Sequence, residues 1–324
     1  MYTKTSVSSL ILSMFALSYL MVRLSSASIP RARSSWGRDR HNSQGPAYTC
    51  KNLIRKRSCI MDNRHSRQSF LGETSEATIK NTTVAVIGLC GGGSHVSQQL
   101  AHIGVGKLVL VDGDFAEDSN RNRMVGLTYA EAQAEARKVD VISARVAAVS
   151  PETEIVKHDG PWNLALDDLK QVDYIFGCVD TMGARDELER FARRFRIPYI
   201  DVGMDVHGEE GRYFISGQVI ASLPGQPCMR CMGFITDAAL AAENARYGAA
   251  GGRPQVVWPN GILASTAVGI FMALLTSWND TTPPPIYVEY DGNRCTTGPS
   301  PKLGYLSPGL CRHMEGTEGA GDIF

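Results

Sequence analysis

Charge is scarce in this chain, and what there is balances. One residue in five is Asp, Glu, Lys or Arg, and 33 basic residues meet 33 acidic ones. A chain that coats nucleic acid through phosphate contacts needs a strong basic excess, so that class is excluded. Acid is almost missing from one region: residues 1–60 carry ten Lys/Arg and a single acid, Asp39. Because the totals are equal, residues 61–324 are net negative, and nucleic acid is not expected as their partner. Cysteine is thin too. The eight at 50, 59, 90, 178, 228, 231, 295 and 311 are too scattered for a secreted disulfide framework. No repeat is present. The apolar stretch Val7–Val22 is short for a membrane span, which takes about 20 residues, and Gly261–Trp278 has Ser and Thr interspersed, as a buried core helix does. No membrane partner is expected.

The first sixty residues stand apart. Lys4 precedes the apolar stretch and Ser26-Ala27-Ser28 follows it, as in a signal peptide. Arg31, Arg33, Arg38 and Arg40 without acids suit a transit peptide equally. Met61 stands just ahead of the organised sequence, so an over-extended start fits as well. We therefore divide the chain into a low-acid leader, 1–60, expected to be disordered, and one domain, 61–324.

The domain opens on a clear pattern. TVAVIG from Thr83 to Gly88 is a short β-branched run ending in glycine, Ser94–Ile103 has helical character, and Lys107–Asp112 is a second buried strand. Together they make a βαβ unit with a parallel sheet. Further strands are predicted at 154–157, 173–178 and 197–202, and helices over 129–149 and 184–195. Antiparallel strand character follows at 212–220 and 286–291, then a Gly/Pro-rich tail. The expected fold is α/β, a Rossmann-like doubly wound sheet with a parallel N-terminal half and antiparallel C-terminal strands.

The glycines carry the chemistry. A glycine turn between a buried strand and a helix lets backbone N–H groups and the positive helix end face a phosphate. Gly88, Gly91 and Gly93 provide such a turn. As a G-x-G-x-x-G dinucleotide fingerprint it fails at the second position, which is Cys90. Asp112, 24 residues after Gly88, sits where a ribose-binding acid is expected. The polar run that follows, with Asp114, Asn120, Asn122 and Arg123, and then Lys138, exceeds what a dehydrogenase needs. Arg and Lys converging on a nucleotide suit a triphosphate that loses pyrophosphate. A solvated loop with a helix cap is the plainer alternative.

The order of motifs resembles a known family. Arg64-x-x-Arg67-Gln68, Gly88 to Ser94, Gly104-Val105-Gly106, Asp112-x-Asp114, Ser119-Asn120-x-Asn122-Arg123, Lys138, Cys178-x-Asp180 and Pro227-Cys228-x-x-Cys231 occur in the sequence of the ThiF/MoeB/HesA branch of the ubiquitin-activating enzyme superfamily. That resemblance implies adenylation of the C-terminal glycine of a small ubiquitin-like or sulfur-carrier protein, with ATP and Mg²⁺. It implies that Asp180 holds the Mg²⁺, that Asn120, Arg123 and Lys138 contact phosphates, and that Asp112 binds the ribose. It also implies that Arg67 reaches the site of a neighbouring protomer in a homodimer. An ATP-consuming enzyme is expected in the cytoplasm.

Departures from the pattern are informative. No cysteine lies between Cys231 and Cys295, so the crossing segment 244–259 offers no thiol for a protein thioester. Thr181-Met182 replaces the relatives' Asp-Asn, and Cys90 reads as a small, inert substitution. Zinc takes four tetrahedral ligands, and beside Cys228-x-x-Cys231 the chain offers Cys311-x-His313, with Cys295 as a substitute for either late ligand. The competing readings are a catalytically inactive relative that serves as a binding subunit, and an NAD-dependent oxidoreductase.

Overall fold

The computed structural model describes residues 63–245, 254–279, 282–306 and 311–322. The chain divides into two units, 1–60 and 61–324, and the leader expected over 1–60 lies outside the described residues. A nine-residue 3-10 segment, Asn63–Leu71, and a short helix α1, Ser75–Lys80, lead into the sheet.

The βαβ unit is built as its residues dictate. β1 (Thr83–Ile87) is apolar on both faces and buried from Val84 onward. Helix α2 (Gly91–Ile103) begins three residues earlier than its side chains suggest, because the glycines themselves form its first turn. It ends on Gly104, whose φ of +89° only glycine adopts without strain. β2 (Lys107–Val111) then pairs parallel with β1.

The helix expected over 129–149 is two helices, α3 (Tyr129–Gln133) and α4 (Lys138–Val149). The break has a physical cause. Glu135 takes a positive φ of 47°, the Ala116 N–H donates to the Ala136 carbonyl, and the Lys138 N–H donates to the Asp114 carbonyl. These bonds pull 136–138 onto the loop after β2, which a continuous helix cannot do.

β3 (Glu154–His158), the short α5 (Leu166–Leu169), β4 (Tyr174–Gly177) and α6 (Met182–Arg194) complete the parallel half. β5 (Tyr199–Glu209) and β6 (Arg212–Ser222) form a hairpin longer than expected. Then come α7 (Asp237–Ala245), α8 (Val257–Leu275), β7 (Tyr287–Asp291) and β8 (Thr296–Pro299). The eight strands run in the order β3-β2-β1-β4-β5-β6-β7-β8, parallel from β3 to β5 and antiparallel beyond. The segment read as a plain tail supplies β8.

Alternate residues of β1 feed two cores: Val84 and Val86 join α2, α4 and α8, while Ala85 and Ile87 join α5, α6 and the loop after β6. Among the described residues α8 is the one helix long and apolar enough to cross a membrane, yet Leu263, Ala264, Ala267 and Phe271 are fully buried in the first core.

Candidate active site

The chain leaves β1 for β2 on one side and reaches β4 on the other. Beyond the carboxyl ends of β1 and β4 the connections diverge, and a crevice must open there. A cavity of about 580 Å³ occupies that place. Gly88 and Gly91 line it, with Asp112, Asp114, Arg123, Lys138 and Asp180.

Each glycine has its own reason. Gly88 has φ +85°, and a Cβ there would meet the Cys178 carbonyl oxygen at 2.6 Å; one on Gly91 would meet the Asn260 amide at 2.7 Å. Gly93 does not line the cavity. A Cβ on it would run into the Gly88 carbonyl, so it lets α2 sit against the turn.

Asp112 is a hinge of the site. Its carboxylate accepts from the Leu89 N–H at 2.7 Å and from the Asp114 N–H at 2.9 Å, tying the glycine turn to the end of β2. Burial pushes its carboxyl up, against the pull of Lys138 and the two N–H donors. Lys138 is itself buried and donates to Asp114 at 2.7 Å. Burial depresses the ammonium, but Asp112 and Asp114 outweigh it and hold Lys138 above its usual range. Lys138 therefore stays charged at neutral pH.

Arg123 donates to the Ser119 carbonyl and the Asn122 side chain, while its Nε is buried without a partner. An unpaired buried guanidinium donor on a cavity wall fits an anionic guest. Cys90 lies beside it, and burial raises its thiol despite Arg123 and Lys138, so it remains protonated.

Two expected site residues lie elsewhere. Asn120 is buried off the cavity wall, where its Oδ1 accepts from the Glu117 N–H and closes the turn 118–122. Arg67 is exposed on the 3-10 segment, outside its own chain's cavity.

Other wall residues carried no clear signal. Trp162 reaches the cavity from the loop after β3, and Asn260, a single buried amide in the apolar α8, from beneath the turn. Glu243 of α7 reaches the start of α6 from afar and accepts from the Met182 and Gly183 N–H groups, both at 3.0 Å. Arg185 enters the wall as well, and buries an ion pair with Asp201.

A second cluster lies in the loop after β6 and the C-terminal segment. Cys228, Cys231, Cys311 and His313 bring their donor atoms within 4.8 Å of one another. The Sγ atoms of Cys228 and Cys231 are 3.7 Å apart, those of Cys231 and Cys311 3.5 Å, and His313 Nδ1 lies 3.5, 3.3 and 4.0 Å from the three in sequence order. Tetrahedral zinc with sulfur and nitrogen ligands sets such atoms about 3.5–3.8 Å apart. The donor set fits. Buried Glu189 fixes the loop by accepting from the Met229 N–H. Cys295 is exposed at the β7–β8 turn and stays out of the cluster.

Fold and cavity together define a Rossmann-type α/β protein with its site at the switch point of the sheet. The ThiF family profile matches residues 63–308, and the chain belongs to that family. It is 38% identical over 86 residues to the tRNA threonylcarbamoyladenosine dehydratase of Bacillus subtilis, covering 26% of this chain and 33% of that protein. To ubiquitin-like modifier-activating enzyme 5 it is 27% identical over 168 residues in Gallus gallus (47% and 40% covered) and 28% over 225 in Caenorhabditis elegans (63% and 51%). The matches thus span a third to a half of these relatives. Among solved structures, E. coli MccB with MccA-N7isoASN superposes with a TM-score of 0.62 at 19% identity, covering 74% of each chain. SeMet PaaA gives 0.57 at 20% identity, covering 73% and 81%. These likenesses are of fold.

Proposed function

We propose that this protein adenylates the C-terminal carboxylate of a small ubiquitin-like or sulfur-carrier protein, using Mg-ATP. The observation that carries the reading is the meeting of a phosphate-type glycine turn, the unpaired Arg123 Nε, the charged Lys138 and the Asp180 carboxylate on one cavity. In the reaction the substrate carboxylate attacks the α-phosphorus in line. An acyl–phosphate bond forms, the bond to the β-phosphate oxygen breaks, and pyrophosphate leaves with the electron pair. No side-chain nucleophile takes part. Arg123 and Lys138 offset charge as it passes to the leaving group, and the turn orients the phosphates. Asp180 would hold Mg²⁺, which keeps most of its own shell and needs one or two carboxylates plus phosphate oxygens.

Three further assignments belong to this reading. The Cys228, Cys231, Cys311 and His313 set holds structural zinc. The active unit is a homodimer in which Arg67 serves the neighbouring site, supported by its place outside its own cavity and by exposed Val257, Trp258 and Ile262 on α8. The enzyme works in the cytoplasm, where ATP is available, with neither nucleic acid nor membrane as partner.

ATP–pyrophosphate exchange with candidate small proteins ending in Gly-Gly tests the reading. Exchange that depends on the small protein and falls at least 100-fold in Asp180→Asn supports it. Undiminished exchange in Asp180→Asn overturns the metal assignment, and none with any carboxylate acceptor favours an inactive binding subunit.

A further inference from the structure

Asp180 lies in the short turn 178–181 between β4 and α6, and a metal carboxylate is only as well placed as the turn that carries it. A buried network holds that turn. Arg185, in the first turn of α6, sends Nη2 back to the Val179 carbonyl and Nη1 to the carboxylate of Asp201 on β5. Asp201 is the register partner of Gly177, the last residue of β4, and it also accepts from the Tyr199 hydroxyl at 3.1 Å and from the Gln218 amide at 3.4 Å. One guanidinium thus ties the turn to β5, and Asp201 carries the tie on to β6. Val179, Asp180, Arg185 and Gln218 all line the cavity.

Two glycines make room for this network. A Cβ on Gly177 would run into the Tyr199 hydroxyl, and one on Gly203 would meet Arg185 Nη2 at 2.6 Å. Charge is costly in such a place, for Arg185 is 6% and Asp201 0% exposed. Burial depresses the guanidinium, but Asp201 outweighs it and holds Arg185 above its usual range; burial pushes the Asp201 carboxyl up, against the pull of Arg185. As a source of stability a buried ion pair is weak, since apolar side chains of similar volume often do as well. What apolar side chains cannot do is grip a carbonyl.

From this geometry we infer that Arg185, fixed by Asp201, is the positioning residue of the metal site: it sets the Val179–Asp180 turn so that the Asp180 carboxylate meets the cation carried by the nucleotide. Arg185 offers donors only, so it is no metal ligand and acts through Asp180. Asp201 has a second effect, because it offsets a cationic charge on the cavity wall that would repel the metal. The inference rests on the adenylation reading and names what places its metal ligand.

The test separates position from stability. Arg185→Met combined with Asp201→Asn removes both charges together, leaves no buried ion unpaired and keeps an acceptor for Tyr199. The probe is adenosine 5′-(α,β-methylene)triphosphate, titrated by calorimetry into the full chain with and without Mn²⁺, and the quantity read is the gain in affinity that the metal supplies. We expect the double variant to reduce that gain about ten-fold, as loss of a residue that orients a metal ligand does, with metal-free affinity unchanged. Arg185→Lys keeps the charge but cannot span two acceptors, and should reduce the gain as well. Leu188→Ala, fully buried in the same helix, should lower Tm and leave the gain intact. A gain in the double variant equal to the parent's, or one lost equally in Leu188→Ala, overturns the positioning role while leaving adenylation standing. A parent that gains nothing from the metal, or Asp180→Asn that keeps the gain, overturns the metal assignment and the positioning role with it. No binding of the nucleotide to the parent overturns the adenylation reading itself.

Discussion

At the scale of single residues, the glycine turn offers the sharpest comparison. A Cβ on Gly93 collides with the Gly88 carbonyl, which is backbone and cannot move aside without shifting α2, whereas one on Gly92 meets Val202 at an ordinary 3.5 Å. Gly93→Ala should therefore cost about 1–3 kcal/mol of stability, the usual range for overpacking, and weaken ATP binding at least ten-fold. Gly92→Ala should leave stability unchanged. Thermal melts and calorimetric ATP titration read both, and equal behaviour of the two variants would refute the steric account. Cys90 gives a second contrast. Because burial keeps its thiol protonated, Cys90→Ala should leave exchange unchanged, and a large loss would show that the thiol acts. Gly88, Asp112 and Asp180 were legible in place because they sit at or just past the carboxyl ends of strands that the hydrophobic pattern reveals, whereas Arg123 and Lys138 stood out through the polar run after β2 and the order of the family's motifs. Asn120 was legible as part of the motif but not in its place, since a buried amide that closes a turn and one that faces a ligand share the same sequence. Glu243 was not legible at all. Nothing local ties an acid in an Ala-rich stretch to two N–H groups sixty residues earlier.

At the scale of elements, α6 shows how a helix is held at both ends. Its start is capped by Thr181 and clamped by Glu243, beside the cavity. Near its end the side chain of Arg193 is fully buried, donating to the Leu223 and Gln226 carbonyls and to Glu318 at 2.8 Å, while Glu318 also accepts from the Gly225 N–H. Replacing Glu318 by Gln leaves a buried guanidinium charge with neutral acceptors only. Breaking a buried pair costs about 3–5 kcal/mol, and since Glu318 keeps 18% exposure we expect about 2 kcal/mol, read as a fall of several degrees in Tm. Glu315→Gln, on an exposed side chain, is the control and should change little; equal effects would mean that Arg193 does not need the carboxylate. The sequence pattern foretold α6 because its apolar residues recur at helical spacing. It misjudged 129–149 for the opposite reason: helical spacing runs on through the break, and only the tertiary bonds from Ala116 and Asp114 interrupt it. The length of the β5–β6 hairpin was equally hidden, since its outer half is exposed and carries no buried alternation.

At the scale of the whole molecule, the question is what returns the C-terminal segment to the body. Residues 311–322 are anchored by the Cys/His cluster, by the Arg193–Glu318 pair, and beyond it by Arg194, which donates to the Gly321 carbonyl, and by the Lys170–Asp322 pair. A cross-link that closes a loop of some eighty residues restricts the unfolded chain by on the order of 4 kcal/mol, so zinc here would bear on global stability and not only on the tail. Metal analysis should find about one zinc per chain, and a strong chelator should lower Tm by several degrees. Arg312, exposed between two of the ligands, reports the local consequence, because trypsin can cut after it once the segment loosens. Chelation alone should speed that cut modestly, since Arg193 still holds Glu318. Chelation in Glu318→Gln should speed it more than the two changes do separately, because only the contacts of 319–322 with Arg193, Arg194 and Lys170 then remain. Cleavage indifferent to chelator, together with protein free of zinc, would reduce the four donors to a metal-free thiol cluster. The tail would then be held by Arg193 and by the contacts of 319–322 with Arg194 and Lys170, and Glu318→Gln without chelator should by itself speed the cut.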